Sequence, residues 1–174
     1  IEWHILGNHL LSNAKALYFC GLYFQGTEAE AWRKKSLKIL HAELREQILP
    51  DGGHFELSPM YHALVVEDFL DLVNIANCYD RADDIRELRE VLPEMLAWLS
   101  VMSHPDGNVS FFNDSAMNVA PDNNQIFDYT IRLGINTPSV LESCVLSDSG
   151  YCRLETPNSV LLGDIGKIGP DYFP

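Results

Sequence analysis

The chain has 174 residues, 47% of them hydrophobic, which is enough to bury a core in one domain or slightly more. Its formal net charge of −13 disfavours nucleic acid and anionic membranes as partners, because binding phosphate groups requires clustered lysine and arginine. The sequence contains no run of about eighteen apolar residues, which excludes a transmembrane helix within it.

The first part of the chain has the spacing of long helices. A first, apolar-rich helix is predicted over residues 8 to 24. A second helix is predicted after Gln25 and Gly26, because Thr27 and Glu30 stand in the positions of a capping box. The apolar face of this second helix repeats with helical periodicity at Leu37, Leu40, Leu44 and Ile48.

Two further helices are predicted after a polar loop. Ser58 suits the N-cap and Pro59 the first position of a third helix, which continues to about Tyr79. A fourth helix starts near Asp83, and Pro93 is a candidate for a kink within it. Long helices joined by short turns lie antiparallel, so the sequence predicts stacked helical hairpins.

The composition changes after His104, where a long stretch rich in Gly, Asn and Asp begins. Loops of that length are usually functional or disordered. One or two short helices are predicted to follow, over residues 123 to 133 and 138 to 145.

The last part of the chain predicts strands. From Gly150, two short β-type runs are separated by Thr156 to Ser159, which is the signal of a hairpin. A lone hairpin is unstable, so its remaining strands are expected beyond Pro174, and we interpret the chain as a piece of a larger protein. These patterns predict a helical unit over residues 1 to 147 and the start of a β-domain over 148 to 174.

Polar side chains gather at the starts of the first and third helices. Asn8 and His9 open the first helix, where the ordinary alternative is an N-cap with a neighbouring surface histidine. The stretch LPDGGHFELSPMYHA, residues 49 to 63, feeds the third helix and contains four candidates: His54, Glu56, Tyr61 and His62. In the ordinary alternative, the tyrosine is a half-buried aromatic residue and the first histidine a loop residue.

A third polar cluster lies in FFNDSA, which offers Asn113 and Asp114. An Asx turn is the ordinary alternative for this pair. A zinc site formed by His54, Glu56 and His62 is disfavoured, because their spacing is not a recognised ligand pattern. We therefore expect neither a metal nor a cofactor within this chain.

The four cysteines have no metal-binding spacing. Free, buried thiols are the favoured interpretation for Cys20, Cys78, Cys144 and Cys152. A bridge between Cys144 and Cys152 stays open as an alternative in an oxidising compartment.

Four segments together resemble the heparinase II/III-like family of polysaccharide lyases, which includes oligo-alginate lyases. They are GNHLLSNAKAL, LPDGGHFELSPMYHALVVEDFLDL, FFNDSA and SGYCRLETPNSVLLGDIGKIGPDYFP, in the order in which the family has them. The resemblance implies a mainly α fold: helical hairpins of an incomplete (α/α) toroid, followed by a short β-hairpin that begins an antiparallel β-sandwich.

The resemblance also implies roles for the polar residues. Lyases of this family cleave beside a uronic acid by β-elimination, and an asparagine–histidine pair, here Asn8 and His9, neutralises the uronate carboxylate. A tyrosine, here Tyr61, serves as base, acid or both. The remaining candidates are assigned to substrate binding: His54, Glu56, His62, Asn113 and Asp114. His54 or His62 is also expected to help Tyr61 ionise, because an unperturbed phenol has a pKa of about 10.

The same resemblance implies what the rest of the protein contributes. A further catalytic histidine and, where present, a divalent metal belong to the sandwich domain, so this piece alone is expected to be poorly active or inactive. The partner is an acidic polysaccharide or oligosaccharide, met in the periplasm or after secretion. The acidic balance favours an alginate-like or exopolysaccharide uronate over a highly sulfated glycan. The sequence leaves open a non-catalytic glycan-binding scaffold, a glycoside hydrolase using Glu56 and Asp114, and the oligomeric state.

Overall fold

The computed structural model describes residues 7–136 and 143–167. These residues form five α-helices, a short 3-10 helix and a three-stranded sheet. The α-helices are α1 (Asn8–Tyr23), α2 (Thr27–Gln47), α3 (Pro59–Cys78), α4 (Arg86–Val101) and α5 (Asn123–Arg132). The 3-10 helix is Ala82–Ile85, and the strands are β1 (Cys144–Leu146), β2 (Tyr151–Thr156) and β3 (Ser159–Asp164). The prediction of a mainly helical chain with a short antiparallel sheet at its end is confirmed.

Helices α1 and α2 form an antiparallel hairpin. The hydroxyl of Ser36 donates to the carbonyl of Ala14 at 2.6 Å, near the middle of both helices. Gln47, at the end of α2, donates to the carbonyl of Gly7 at the start of α1, 3.1 Å away. The end of α2 therefore lies beside the residues that open α1.

Helix α3 lies at the centre of the core. Its fully buried side chains cover about half of the helix circumference, and the opposite side carries half-buried Glu67, Asp68 and Asp71. The fully buried side chains include Val65, Val66, Phe69, Leu70, Leu72 and Val73. The apolar faces of α1, α2 and α4 pack into the same cluster.

The helix starts test two sequence predictions. Ser58 is the N-cap of α3 and Pro59 its first residue, as predicted. The predicted capping box of α2 is wrong, because Gly26 precedes the helix and Thr27 is already helical. The Glu30 carboxylate instead pairs with the guanidinium of Arg33, one turn along the same helix, at 2.8 Å.

The predicted β-hairpin is confirmed as β2 and β3, which pair antiparallel from Tyr151 with Asp164 to Thr156 with Ser159. Strand β1 pairs with β2 on the other side, so a third strand precedes the hairpin. Most of the helix predicted over 138 to 145 falls outside the described residues, and its end is wrong because Cys144 begins β1. The domain boundary near 148 stays a prediction.

The sheet is anchored on the end of α4. Trp98, Val101, Met102 and Tyr151 form a small buried cluster between them. The buried guanidinium of Arg153 donates to the carbonyls of Val101 at 3.1 Å and Ser103 at 2.7 Å, where α4 ends. Strand β2 is therefore fixed to the helical part by both apolar packing and a buried cation.

The strand register bears on the cysteines. Cys144 pairs with Arg153, and Cys152 pairs with Val145, so the two cysteines lie on opposite faces of the sheet. All four cysteines are free thiols; three are half-buried and Cys78 is exposed. This register does not bring Cys144 and Cys152 together for a disulfide.

In the two described ranges, we find no helix with the length and apolar character needed to cross a membrane.

Candidate functional site

The loop between α2 and α3 is shaped by its glycines. Gly52 has a φ of 85°, and a Cβ atom there would lie 2.3 Å from the carbonyl oxygen of Glu94 on α4. Only glycine fits both the backbone conformation and this close approach. The loop closes on itself, because the N–H of Leu49 donates to the carbonyl of Gly53 at 2.8 Å. The two glycines of the loop therefore let its backbone lie directly against α4.

The side chain of His54, in this loop, points into the protein and lies next to His62 on α3. His54 and His62 are both 0% exposed. Nδ1 of His62 accepts from the N–H of His54 at 3.2 Å, so Nε2 carries the proton and donates to the carbonyl of Met95 at 2.9 Å. Nε2 of His54 lies 2.9 Å from Oε1 of Gln47. Both ring nitrogens of His62 and Nε2 of His54 therefore have protein partners, whereas Nδ1 of His54 is buried without a hydrogen-bond partner.

Burial keeps both imidazoles neutral. It lowers the pKa of His54 to about 3, with a smaller contribution from His62, and the pKa of His62 to about 4. A neutral imidazole does not stabilise a phenolate by charge, so this arrangement does not provide the expected help to Tyr61. The substrate-binding role assigned to these histidines stays a prediction, and the structure places both of them away from solvent.

The start of α1 lies against the other end of the loop. Oε1 of Glu56 accepts the backbone N–H of Asn8 at 2.9 Å. Asn8 is half-buried and His9 is exposed. Gly7, which precedes them, has a φ of 71°, a conformation that glycine adopts easily.

Tyr61 lies in the first turn of α3, where the Ser58 hydroxyl accepts its backbone N–H at 3.5 Å. The FFNDSA segment packs against the same turn, because the hydroxyl of Ser115 lies 3.0 Å from that of Ser58 and accepts the N–H of Met60 at 3.2 Å. This contact brings Asp114, the residue before Ser115, next to Tyr61. Burial raises the pKa of Tyr61, and the charges of Asp114 and Glu56 raise it further.

Asn113 stabilises the loop between α2 and α3. Its side-chain amide donates to the carbonyl of Leu57 at 2.7 Å, and the hydroxyl of Tyr151 donates to the same carbonyl at 2.6 Å. Leu57 itself has a positive φ of 56°, a conformation that needs such support in a non-glycine residue. Direct contact of Asn113 with a substrate stays a prediction.

Glu56 is the shared neighbour of these groups. Burial raises the pKa of its carboxyl, the N–H of Asn8 opposes that rise, Asp114 adds to it and His9 reduces it. The same carboxylate raises the pKa of Tyr61. The structure therefore brings five of the predicted residues to one place, namely Asn8, His9, Glu56, Tyr61 and Asp114.

Sequence reasoning missed Gln47. This side chain is 1% exposed, and it connects His54 to the residue before Asn8. The available signal was its position three residues after Leu44 on the buried side of α2, where a polar residue needs partners.

A metal site is not formed by the predicted histidines. Throughout residues 7–136 and 143–167, no three His, Cys, Asp or Glu side chains are arranged to hold a metal ion. Both ring nitrogens of His62 already have protein partners.

Comparison with known proteins finds relatives of this chain. The family described as Heparinase II/III N-terminus matches residues 2–131, well over half of the chain. A heparin-sulfate lyase of Bacteroides stercoris is 34% identical over 113 residues, which cover 64% of this chain and 17% of that protein. A heparin-sulfate lyase of Pedobacter heparinus is 31% identical over 111 residues, which cover 63% of this chain and 17% of that protein. The chain therefore aligns with less than a fifth of either relative.

Among solved structures, a heparinase III with methylated lysines resembles the chain with a TM-score of 0.74 and 24% identity. The similarity covers 97% of this chain and 29% of that one. At this level of identity the comparison establishes a shared fold.

Proposed function

The chain belongs to the heparinase II/III family, and we propose that the protein containing it is a polysaccharide lyase that cleaves beside a uronic acid by β-elimination. The observation that carries the proposal is the meeting of two helix starts at Glu56. This carboxylate accepts the N–H of Asn8 at 2.9 Å. The charge of His9 lowers the pKa of the Glu56 carboxyl, and the charge of Glu56 raises the pKa of Tyr61. An amide, an imidazole and a phenol are suited to the demands of this elimination.

The chemistry makes two demands on the site. The proton at C5 of a uronate is weakly acidic, because removing it adds negative charge beside a carboxylate that is already ionised. Donors fixed in advance around that carboxylate stabilise the enediolate-like transition state, and we assign this role to Asn8 and His9. The electron pair left at C5 forms a double bond to C4 as the C4–O bond breaks, and the departing oxygen takes up a proton.

Tyr61 is assigned to the proton transfers. Burial and the charges of Asp114 and Glu56 raise the pKa of its phenol, which therefore keeps its proton at neutral pH. A protonated phenol is suited to donating to the departing oxygen. If Tyr61 acts only as the acid, the C5 proton passes to a base that we assign to the part of the protein outside this chain. If Tyr61 takes the C5 proton itself, it must first ionise, which requires a positive group that we assign to the same part, and it then passes that proton to the departing oxygen.

The substrate is proposed to be a uronate-containing polysaccharide. The two relatives named as heparin-sulfate lyases favour a sulfated glycosaminoglycan. The net charge of −13 favours a polymer without dense sulfation, such as alginate, because only 12 lysines and arginines are available. Both substrate types are therefore needed in an assay. Such polymers are met in the periplasm or outside the cell, where we place the protein.

The experiment incubates the full-length protein with heparan sulfate, heparin, alginate and other uronate polymers and follows ultraviolet absorbance from unsaturated ends. We expect absorbance with at least one polymer and a large loss in Tyr61→Phe. Tyr23→Phe is the matched control, because Tyr23 is 71% exposed at the opposite end of α1. Silence across the panel, while a known lyase works in parallel, removes the proposal.

Two alternatives are separated by the same assay. A glycoside hydrolase is favoured by the raised pKa of Glu56 beside Asp114, because such a carboxyl can act as a general acid. Hydrolysis releases reducing ends without ultraviolet absorbance, whereas elimination produces both. A non-catalytic glycan-binding scaffold predicts binding without either product, and Tyr61→Phe then leaves the biological activity intact.

A further inference from the structure

The peptide bond between Gly7 and Asn8 is held at both of its polar ends by side chains from other parts of the fold. Gln47 donates from Nε2 to the carbonyl of Gly7 at 3.1 Å. Glu56 accepts the N–H of Asn8 at 2.9 Å. Because a peptide unit is planar, fixing its carbonyl and its N–H fixes the orientation of the plane from which α1 starts.

The φ and ψ preferences of Gly7 do not by themselves provide this orientation. Gly7 has a φ of 71° and a ψ of −144°, and glycine has the widest range of accessible conformations. No side chain caps the start of α1 in the ordinary way. Within α1, the carbonyl of Gly7 also accepts the N–H of Leu10 at 3.1 Å. The two tertiary hydrogen bonds add to this local bond and fix how the helix start, with Asn8 and His9, lies against α2 and the loop before α3.

Gln47 is itself fixed in one orientation. Its Nε2 donates to the carbonyl of Gly7 and also to Oε2 of Glu43 at 2.7 Å, so its Oε1 is left to accept from Nε2 of His54 at 2.9 Å. His54 is in turn attached to α3, because its N–H donates to Nδ1 of His62 at 3.2 Å. A continuous series of hydrogen bonds thus connects α3, which carries Tyr61, to the start of α1.

We propose that Gln47 and Glu56 are positioning residues that orient Asn8 and His9 relative to Tyr61, and that His54 holds the amide of Gln47 in place. The inference rests on the proposed lyase function. Donors to a transition state are effective when they are held in place before the reaction, and small displacements are costly. Gln47 and His54 do not need to contact the substrate for this role.

The first test replaces Gln47 with methionine, which has a similar length and cannot donate a hydrogen bond, in the full-length protein. We expect kcat on a cleaved polymer to fall about 10- to 100-fold with little change in KM, because substrate binding by the rest of the protein is retained. Amide hydrogen exchange should accelerate in the peptide that covers residues 7 to 11.

Ser36→Ala is the matched control. Ser36 also lies on α2, is buried, and donates to a carbonyl of α1, that of Ala14 at 2.6 Å. The Ser36→Ala substitution removes a comparable hydrogen bond between α2 and α1 without affecting the contacts of Gly7 or Asn8. We expect kcat, and exchange in residues 7 to 11, to stay near the unmodified values in this variant.

A pair of variants at Glu56 separates positioning from a role in the chemistry. Glu56→Gln keeps an oxygen that can accept the N–H of Asn8, whereas Glu56→Leu does not. Because both variants remove the charge that raises the pKa of Tyr61, kcat is compared between them at the pH optimum of each. Positioning predicts that the glutamine variant keeps slow exchange in residues 7 to 11 and a higher kcat than the leucine variant, which loses both. Equal losses of kcat in the two variants, with exchange unchanged in both, overturn the role of Glu56.

The outcomes for the positioning role and for the lyase function are distinguishable. If Gln47→Met behaves like Ser36→Ala in both kcat and exchange, the positioning role of Gln47 is overturned. If the unmodified protein cleaves no polymer, the lyase proposal fails, and hydrogen exchange alone still decides the inference. In that case, unchanged hydrogen exchange of residues 7 to 11 in both Gln47→Met and Glu56→Leu overturns the inference.

Discussion

Asp51, in the loop between α2 and α3, accepts both the N–H of Ser149 at 2.7 Å and its hydroxyl at 2.9 Å. The same carboxylate oxygen accepts the N–H of Asp148 at 3.0 Å. The Ser149 hydroxyl also accepts from the indole N–H of Trp98 at 2.8 Å. One carboxylate therefore ties the site loop to the turn that leads into β2.

Asp51→Ala should loosen the sheet from the helical part. Ser149 is 1% exposed, so its N–H loses its partner in a place that water does not reach easily. We expect the free energy of local opening to fall by about 1–3 kcal/mol in residues 144 to 164, as measured by hydrogen exchange on the full-length protein. Asp148→Ala removes an exposed neighbouring carboxylate and serves as the control. Equal exchange in the two variants would contradict this role for Asp51.

The buried imidazoles predict a loss of stability in mild acid. The folded-state pKa of His54 is lowered to about 3 and that of His62 to about 4, whereas an unfolded histidine has a pKa of about 6.5. Between these values the unfolded chain binds more protons than the folded one. Stability is therefore complete above about pH 6.5 and decreases as the pH falls toward 4, by up to about 1.4 kcal/mol per pH unit for each imidazole.

Unfolding temperatures measured from pH 7.5 down to about pH 4.5 test this dependence. His62→Leu should lower stability at pH 7.5 and flatten the decrease in acid, because one of the two titrating groups is gone. His104→Gln replaces an exposed histidine and should leave the slope unchanged. An unaltered slope in His62→Leu would show that other groups cause the acid sensitivity.

The charge of Asp114 predicts a shift in the pH dependence of activity. Asp114 is among the groups that raise the pKa of Tyr61, after burial. Asp114→Asn removes that charge, so the pKa of Tyr61 should fall. If Tyr61 acts as the base, the rising limb of kcat against pH moves to lower pH; if it acts as the acid, the falling limb does so. Asp128→Asn, an exposed change on α5, should move neither limb.

The position of this limb also tests the assignment of Tyr61. Movement of the falling limb supports a phenol that donates its proton, as proposed. A profile that does not move in Asp114→Asn would mean that Tyr61 does not titrate in the catalytic step.

Local sequence chemistry predicted some features of the fold well. The start of α3 followed from Ser58 and Pro59, because a cap and a first-turn proline act within a few residues. The start of α2 did not follow from Thr27, because Gly26 precedes the helix with a φ of 101° and Arg33 takes the carboxylate of Glu30. Two favourable local arrangements were available there, and the sequence pattern did not distinguish them.

The sequence predicted which residues belong to the site better than it predicted how they are arranged. Family motifs pointed to Asn8, His9 and Tyr61, and the structure brings them near Glu56. The inward placement of His62 depends on the carbonyl of Met95, 33 residues further along the chain. No local pattern encodes such a partner. Gln47 was missed for the same reason, since its partners come from two other segments.

The last prediction concerns Gly52, whose role is steric. Gly52→Ala places a methyl group 2.3 Å from the carbonyl oxygen of Glu94 at a residue with a φ of +85°. Gly26 offers a matched control, because its φ is +101° and no atom lies within 4 Å of the position of an added Cβ. Both substitutions carry the strain of positive φ, about 1–2 kcal/mol, and only Gly52→Ala adds a clash with backbone.

We expect Gly26→Ala to fold with a slightly lower unfolding temperature, and Gly52→Ala to give little soluble protein or a much lower unfolding temperature. Because the clash displaces the loop from α4, any folded Gly52→Ala should also show faster hydrogen exchange in residues 49 to 57 than Gly26→Ala does. Equal unfolding temperatures for the two variants would mean that the loop can move away from Glu94 at little cost. The close contact with α4 would then not be what holds Glu56 beside the start of α1.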